Sequence, residues 1–157
     1  MKTQEHKAVI TRIIDVPREM VFNAWIDPKQ LAQWWSPRGF TNPVCEVTPT
    51  VGGQIRIHMS HPQFPDHWMI GRFTELKEPE KLVFQNNAII AKDGIGEPSI
   101  EGTTTVTFEN VNGKTRLTVE AVIHKLAEGM EAAAAGMNPG WKQSIDKLEE
   151  FFGKGKN

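Results

Sequence analysis

Hydrophobic spacing changes along this chain from a period of two to a helical period, back to two, and to helical again. Ala8 to Asp15 (AVITRIID) is rich in β-branched residues and predicts a first strand. Pro17 suits the first position of a helix, where its missing N–H is not needed. Val21, Phe22 and Trp25 then give that helix one apolar face. Asp27 is a good N-cap for a second helix, with Pro28 at its first position and Gln30 three residues after the cap. Leu31, Trp34 and Trp35 follow at i, i+3 and i+4, and Ser36-Pro37-Arg38-Gly39 ends the run. The first strand therefore leads into a bent helical pair.

From Val44 the period is two. Gly52-Gly53 marks a turn, after which Ile55, Ile57 and Met59 alternate with Arg56, His58 and Ser60. Such alternation belongs to a sheet with one buried and one wet face. Further strands are expected over His67–Leu76 and Lys81–Asn87, joined at Glu78-Pro79-Glu80. A hairpin joins Ile100–Glu109 to Lys114–His124 through Asn112-Gly113. Pro62 and Pro65 predict a loop between His58 and His67. The last third is helical: an alanine-rich stretch over Glu128–Gly136, a kink or new start at Asn138-Pro139, and a stripe of Trp141, Ile145, Leu148 and Phe152. Gly153 suits the helix end, and Lys154 to Asn157 reads as a frayed tail. The order β-αα-β-β-β-β-β-β-α implies an α+β fold with an antiparallel sheet of six or seven strands. One long helix cannot cover such a sheet, so a groove or cavity is expected between them.

The chain has 157 residues, the size of one domain, with 39% hydrophobic and 24% charged residues. A single domain over residues 1–157 with a core over 8–153 is expected. The net charge of -1 argues against a nucleic-acid binder, which needs a basic footprint. Cys45 is the single cysteine, so an internal disulfide is impossible. The first seven residues are polar and lack the apolar core of a secretory signal, and no apolar run is long enough to span a bilayer. A cytoplasmic location is expected.

Several motifs together resemble a known family. They are Asp15-Val16-Pro17 into Val21-Phe22-x-Ala24-Trp25, and Asp27-Pro28-x-x-Leu31-x-x-Trp34-Trp35-x-Pro37-x-Gly39-Phe40. Gly52-Gly53, Gly71-x-Phe73-x-Glu75-Leu76-x-x-Pro79-x-x-Leu82-Val83-Phe84 and Gly140-Trp141-x-x-Ser144-Ile145-x-x-Leu148 follow in order. This series resembles the single-domain homologues of the activator of the ninety-kilodalton heat-shock-protein ATPase, in the START-like or polyketide-cyclase-like superfamily. The resemblance implies a helix-grip fold: a curved antiparallel sheet around a long C-terminal helix, with a hydrophobic cavity between. Related members bind lipids, hormones and polyketides, and a minority are enzymes. Eukaryotic co-chaperone members carry an additional N-terminal domain for which this chain is too short, so a chaperone partner is not expected.

The candidate ligand-binding residues are Trp34, Trp35, Trp68 and Trp141, with Ile57, Met59, Ile70, Phe84, Phe108 and Met137. Tryptophan carries an apolar body and a polar N–H, which suits a ligand cage at a cavity mouth or a plug between helix and sheet. Ile55, Val106 and Val119 should also face inward, as core. Among the charged residues within strands, Arg72 is favoured as an inward contact for a polar head group because it shares parity with Trp68 and Ile70. His58, His61 and His67 surround Asp66, but strand residues three apart point to opposite faces, so surface roles are preferred to a metal site. His67, beside Trp68, is the residue to test first for proton transfer. Lys92–Pro98 reads as a flexible connection or a lid. Its glycines lack the context of a phosphate-binding loop, and no nucleophile–base arrangement or cofactor motif stands out. Binding of a small hydrophobic or amphipathic molecule is the leading expectation. A cyclase, dehydratase or hydrolase using a cavity His or Glu, and a protein-interaction module with an exposed apolar patch, are the alternatives. An outer strand or helix face leaves room for a homodimer.

Overall fold

The computed structural model describes residues 6–154. Strand β1 (His6–Ile14) leads into helices α1 (Arg18–Ile26) and α2 (Pro28–Trp34). Six strands follow: β2 (Cys45–Val47), β3 (Gln54–His61), β4 (Phe64–Lys77), β5 (Lys81–Ile90), β6 (Ile100–Val111) and β7 (Lys114–Leu126). The chain ends in a short helix α3 (Glu131–Ala135) and the long α4 (Met137–Lys154). The seven strands form one antiparallel sheet in the order β1-β7-β6-β5-β4-β3-β2. The helical pair thus carries the chain from one sheet edge to the other, and the meander returns it. This is the α+β helix-grip architecture.

Local chemistry explains the boundaries. Asp27 ends one helix and starts the next: its backbone N–H donates to Asn23 O, while its carboxylate accepts from Lys29 N–H at 3.0 Å. Gln30 donates its side-chain amide to the same carboxylate at 3.0 Å, a variant of the expected capping box. Pro17 serves as the N-cap of α1, one position before its expected place. The hairpin between β6 and β7 turns on Asn112 (φ 55°) and Gly113 (φ 84°), the signs a two-residue primed turn requires.

The loop expected around Pro62 and Pro65 is much tighter. His61 pairs with Phe64, so only Pro62 and Gln63 turn, and β4 begins three residues before His67. Pro65 is accommodated close to the hairpin end, where strands tolerate a missing donor. The alanine-rich stretch forms only the short α3. Gly136 passes directly into α4, which begins at Met137 and leaves Pro139 in its first turn.

Neighbouring strands press closely on Gly71 and Gly102 in the curved sheet. A Cβ at Gly71 would sit 1.8 Å from the Gln85 carbonyl oxygen, and one at Gly102 would sit 2.4 Å from that of Val122. Irregular register at Phe73/Glu75 and Glu101/Gly102 adds to the curvature. Helix α4 lies in the resulting trough and buries Trp141, Ile145, Leu148 and Phe152. Burying each such side chain contributes roughly 1.5–3 kcal/mol. Arg12 on β1 clamps the helix from outside, donating to Asp146 at 2.6 Å and Glu149 at 2.7 Å. Its guanidinium pKa is raised, chiefly by the hydrogen bond to Glu149.

Candidate functional site

The site lies under the start of α4. Inward positions follow from strand parity: Ile55, Ile57 and Met59 on β3, Met69, Gly71 and Phe73 on β4, and Leu82, Phe84, Asn86 and Ala88 on β5. Strand β6 presents Gly102, Thr104, Val106 and Phe108, and β7 presents Leu117, Val119, Ala121 and Ile123. Register places large residues opposite large ones, with Leu82 beside Val106 and Val106 beside Val119. It also places small ones opposite small ones, with Asn86 beside Gly102 and Thr104 beside Ala121. Helix α4 matches this division. Ile145 and Leu148 cover the large half, whereas Gly140, with Gly136 just before the helix, lies over the small half.

Small residues on both layers leave space. A cavity of about 200 Å³ is bordered by Trp35, Met59, Met69, Ala88, Met137 and Trp141. A second, of about 180 Å³, continues past Met137 and Trp141 over Gly102, Thr104, Ala121 and Ile123. Asn86 and Ala88 border both. The lining is mainly apolar, with a few polar groups. Asn86 donates its side-chain N–H to Thr104 Oγ1 at 3.1 Å, and its carbonyl oxygen has no protein partner. Ser144 is buried on α4, and its hydroxyl has no partner among the described residues. Among the described residues no titratable side chain borders either cavity.

The tryptophans divide sharply. Trp34 is fully buried and donates its indole N–H to Ala24 O at 3.1 Å, so it belongs to the core and does not border the cavity. Trp35, the next residue, lies across Trp141 edge-to-face at 5.3 Å, and its buried indole N–H has no partner. Trp141 stacks in turn on Trp25 at 6.0 Å. Trp25 thus forms the base of the aromatic wall, although the sequence marked it only as a helix-face residue.

Trp68 borders the cavity at its edge, but its ring is held on the outer face of the sheet. It stacks on the His58 ring at 4.7 Å, the Arg56 guanidinium lies 4.7 Å from it, and its indole N–H donates to Lys92 O at 3.2 Å. A Cβ at Gly94 would come within 2.9 Å of the same ring. The Lys92–Pro98 segment therefore folds across the outside of β4 and β5 over Trp68, and none of its residues borders the cavities. This corrects the lid reading.

The parity argument for Arg72 was right about which residues share a face and wrong about which face. Ile70 and Arg72 lie outside with Trp68, and Arg72 is exposed and donates to Gly52 O at 3.0 Å. Ile57, Phe84 and Phe108 face inward, but in the filled half, where they pack without bordering the cavities. Trp35, Met59, Met137 and Trp141 are the candidates that converge on open space. Asn86, Ala88, Gly140 and Ser144 had escaped notice; their signal was small size at inward positions.

The histidines do not converge. His58 pairs with Asp66 at 3.1 Å, while His61 accepts from Gln63 N–H at 3.0 Å and packs on Phe40. Among the described residues no three His, Cys, Asp or Glu side chains are grouped to hold a metal ion. His67 packs near Phe40 with Nδ1 buried and unpartnered, and it does not border the cavities. Burial pushes the Cys45 thiol up to about 12, so it is no ready nucleophile.

A profile of the Activator of Hsp90 ATPase homolog 1-like proteins matches residues 15–153. The chain belongs to that family. Solved structures agree on the fold. A Nitrosomonas europaea protein superposes with a TM-score of 0.78 at 22% identity, with 96% of each chain covered. An Arthrobacter aurescens protein gives 0.80 at 25% identity, covering 95% of this chain and 87% of its own. A Mycobacterium smegmatis protein gives 0.78 at 21% identity, covering 92% and 89%. No curated protein matches the sequence. No helix among the described residues is long and apolar enough to cross a membrane.

Proposed function

We propose that this protein binds a small, mainly apolar molecule between the β4–β5 part of the sheet and the start of α4. The fold is one commonly used to hold ligands. The observation that carries the reading is the two-lobed space itself, walled by Trp35, Trp141, Met59 and Met137. An apolar cavity of about 150 Å³ suffices to hold a benzene ring, so the larger lobe has room for a substituted ring. The flexible methionines let the walls adapt. Acid–base catalysis draws no support from the lining, which offers no His, Asp or Glu. A docking surface is also less well supported, because the exposed large apolar side chains are spread over β1 (Val9, Ile13), α1 (Met20), the turn before β3 (Val51), β4 (Phe64), β5 (Ile90) and the segment after it (Ile95).

Titration with a panel of substituted benzenes and short amphiphiles, followed through the indole N–H resonances, tests the proposal. Trp35 and Trp141 should shift in a saturable manner while Trp34 stays fixed. A panel that leaves all the indoles unmoved contradicts it.

A further inference from the structure

The lining also restricts the chemistry of the occupant. The geometry points to an uncharged ligand, apolar over most of its surface, with one hydroxyl-type group seated between Asn86 and Ser144. This rests on the binding reading above and adds to it a charge and a polar contact.

Two sets of observations support it. First, neither lobe offers a titratable side chain. At the helix junction Gly136 N–H donates to Ala132 O and Gly140 N–H to Gly136 O, at 3.1 and 3.0 Å, so both glycine amides are already taken. A carboxylate or ammonium group placed here would lose its water without gaining a counter-charge, which is strongly unfavourable. Second, the lobe is not uniformly apolar. Ser144 and Asn86 both border the larger lobe, and the Asn86 amide is fixed by Thr104, while no bond among the described residues takes the Ser144 hydroxyl or the Asn86 carbonyl oxygen. Neither oxygen is sealed off as the Trp35 indole N–H is, so both stay open to an occupant. A hydroxyl can donate to the Asn86 oxygen and accept from Ser144, and so complete both.

Three molecules of nearly one shape separate the terms: p-xylene, 4-methylbenzyl alcohol and 4-methylbenzoate, which is ionised at neutral pH. Binding is read by the Trp35 and Trp141 indole resonances and by calorimetry. The alcohol should bind most tightly, exceeding p-xylene by about fivefold, the scale of one net hydrogen bond. The benzoate should not bind at concentrations that saturate with alcohol. Ser144→Ala should remove the preference for the alcohol over p-xylene, and Asn86→Leu should do the same. Ser144→Ala removes one oxygen from a helix, so the test survives should Asn86→Leu fail to fold. Benzoate binding as tightly as the alcohol overturns the inference. So does p-xylene matching the alcohol in the parent protein, or an alcohol preference that survives Ser144→Ala; in these cases the cavity still binds and the function proposal stands. If none of the three binds, the function proposal falls and this inference falls with it.

Discussion

The two halves of the trough are built from the same strands and the same helix, yet one is filled and the other is not. Strand β6 shows the difference in a single run. Its inward residues are Gly102, Thr104, Val106 and Phe108, rising steadily in volume toward the end that meets α1. Strand β5 tapers the same way, from Leu82 and Phe84 to Asn86 and Ala88. At the large end, Phe108 packs on Phe22 at 5.2 Å and on Trp25 at 6.3 Å, and the helices close over it. At the small end stand Gly140 on α4 and Gly136 just before it, and space remains. Tight packing stabilises the domain at one end and leaves the other free to take a ligand.

Substitutions of matched kind should expose this asymmetry. The largest effect is expected from Phe108→Ala, which empties the filled half and should cost about 3–5 kcal/mol in a denaturant melt. Met137→Ala in the small half should cost about 1 kcal/mol or less, because its side chain is only half-buried and already borders open space. Equal losses would break the comparison. Enlargement gives the converse. Val119→Phe forces volume into a packed region and should cost about 1–3 kcal/mol. Ala88→Leu occupies existing space, so it should leave the midpoint nearly unchanged and abolish p-xylene binding. If Ala88→Leu destabilised as much as Val119→Phe, the small half would be better packed than the geometry indicates.

Much of this was legible in the residues, and the parts that were not share one physical cause. Alternation and helical spacing identified the strands, the helical pair and the α4 stripe, because burial of one face imposes those periods. Parity also showed that Trp68, Ile70 and Arg72 share a face. It could not say that the face was the outer one, because Trp68 and Ile89 are apolar yet lie outside, buried by the chain segment near Gly94 and Gly96. The search for large residues found Trp35, Met59, Met137 and Trp141, and with them Trp34, Phe84 and Phe108. Large residues line and fill with equal ease. What separates the two is the small residue opposite, at Ala88, Gly102, Ala121 and Gly140, and the cross-strand register that aligns them depends on bulges no local pattern reveals.

A further substitution tests what holds the boundary between the halves. Helix α2 ends with Trp34 in the filled core and hands on to Trp35 at the cavity, so its start fixes both. Asp27 supplies that start, and its carboxyl pKa is lowered, first by the hydrogen bond from the Gln30 side chain and further by the Lys29 backbone N–H. A lowered folded pKa means the unfolded chain binds the proton more readily. The cap therefore contributes in full above the ordinary carboxyl value of 3.8, and its contribution is lost as pH falls through the lower folded value. Asp27→Ala should cost about 1 kcal/mol at neutral pH. In urea melts the gap between the parent and the variant should narrow as the solution is acidified through that window, by the part of the cap that depends on charge. Asp27→Asn retains an acceptor without the charge, so it should keep most of the stability and show little of the pH dependence. A gap between parent and Asp27→Ala that persists unchanged in acid would mean that the ionised carboxylate is not what holds α2. The one-residue step from core tryptophan to cavity tryptophan would then have to be set by the packing of Trp34 alone.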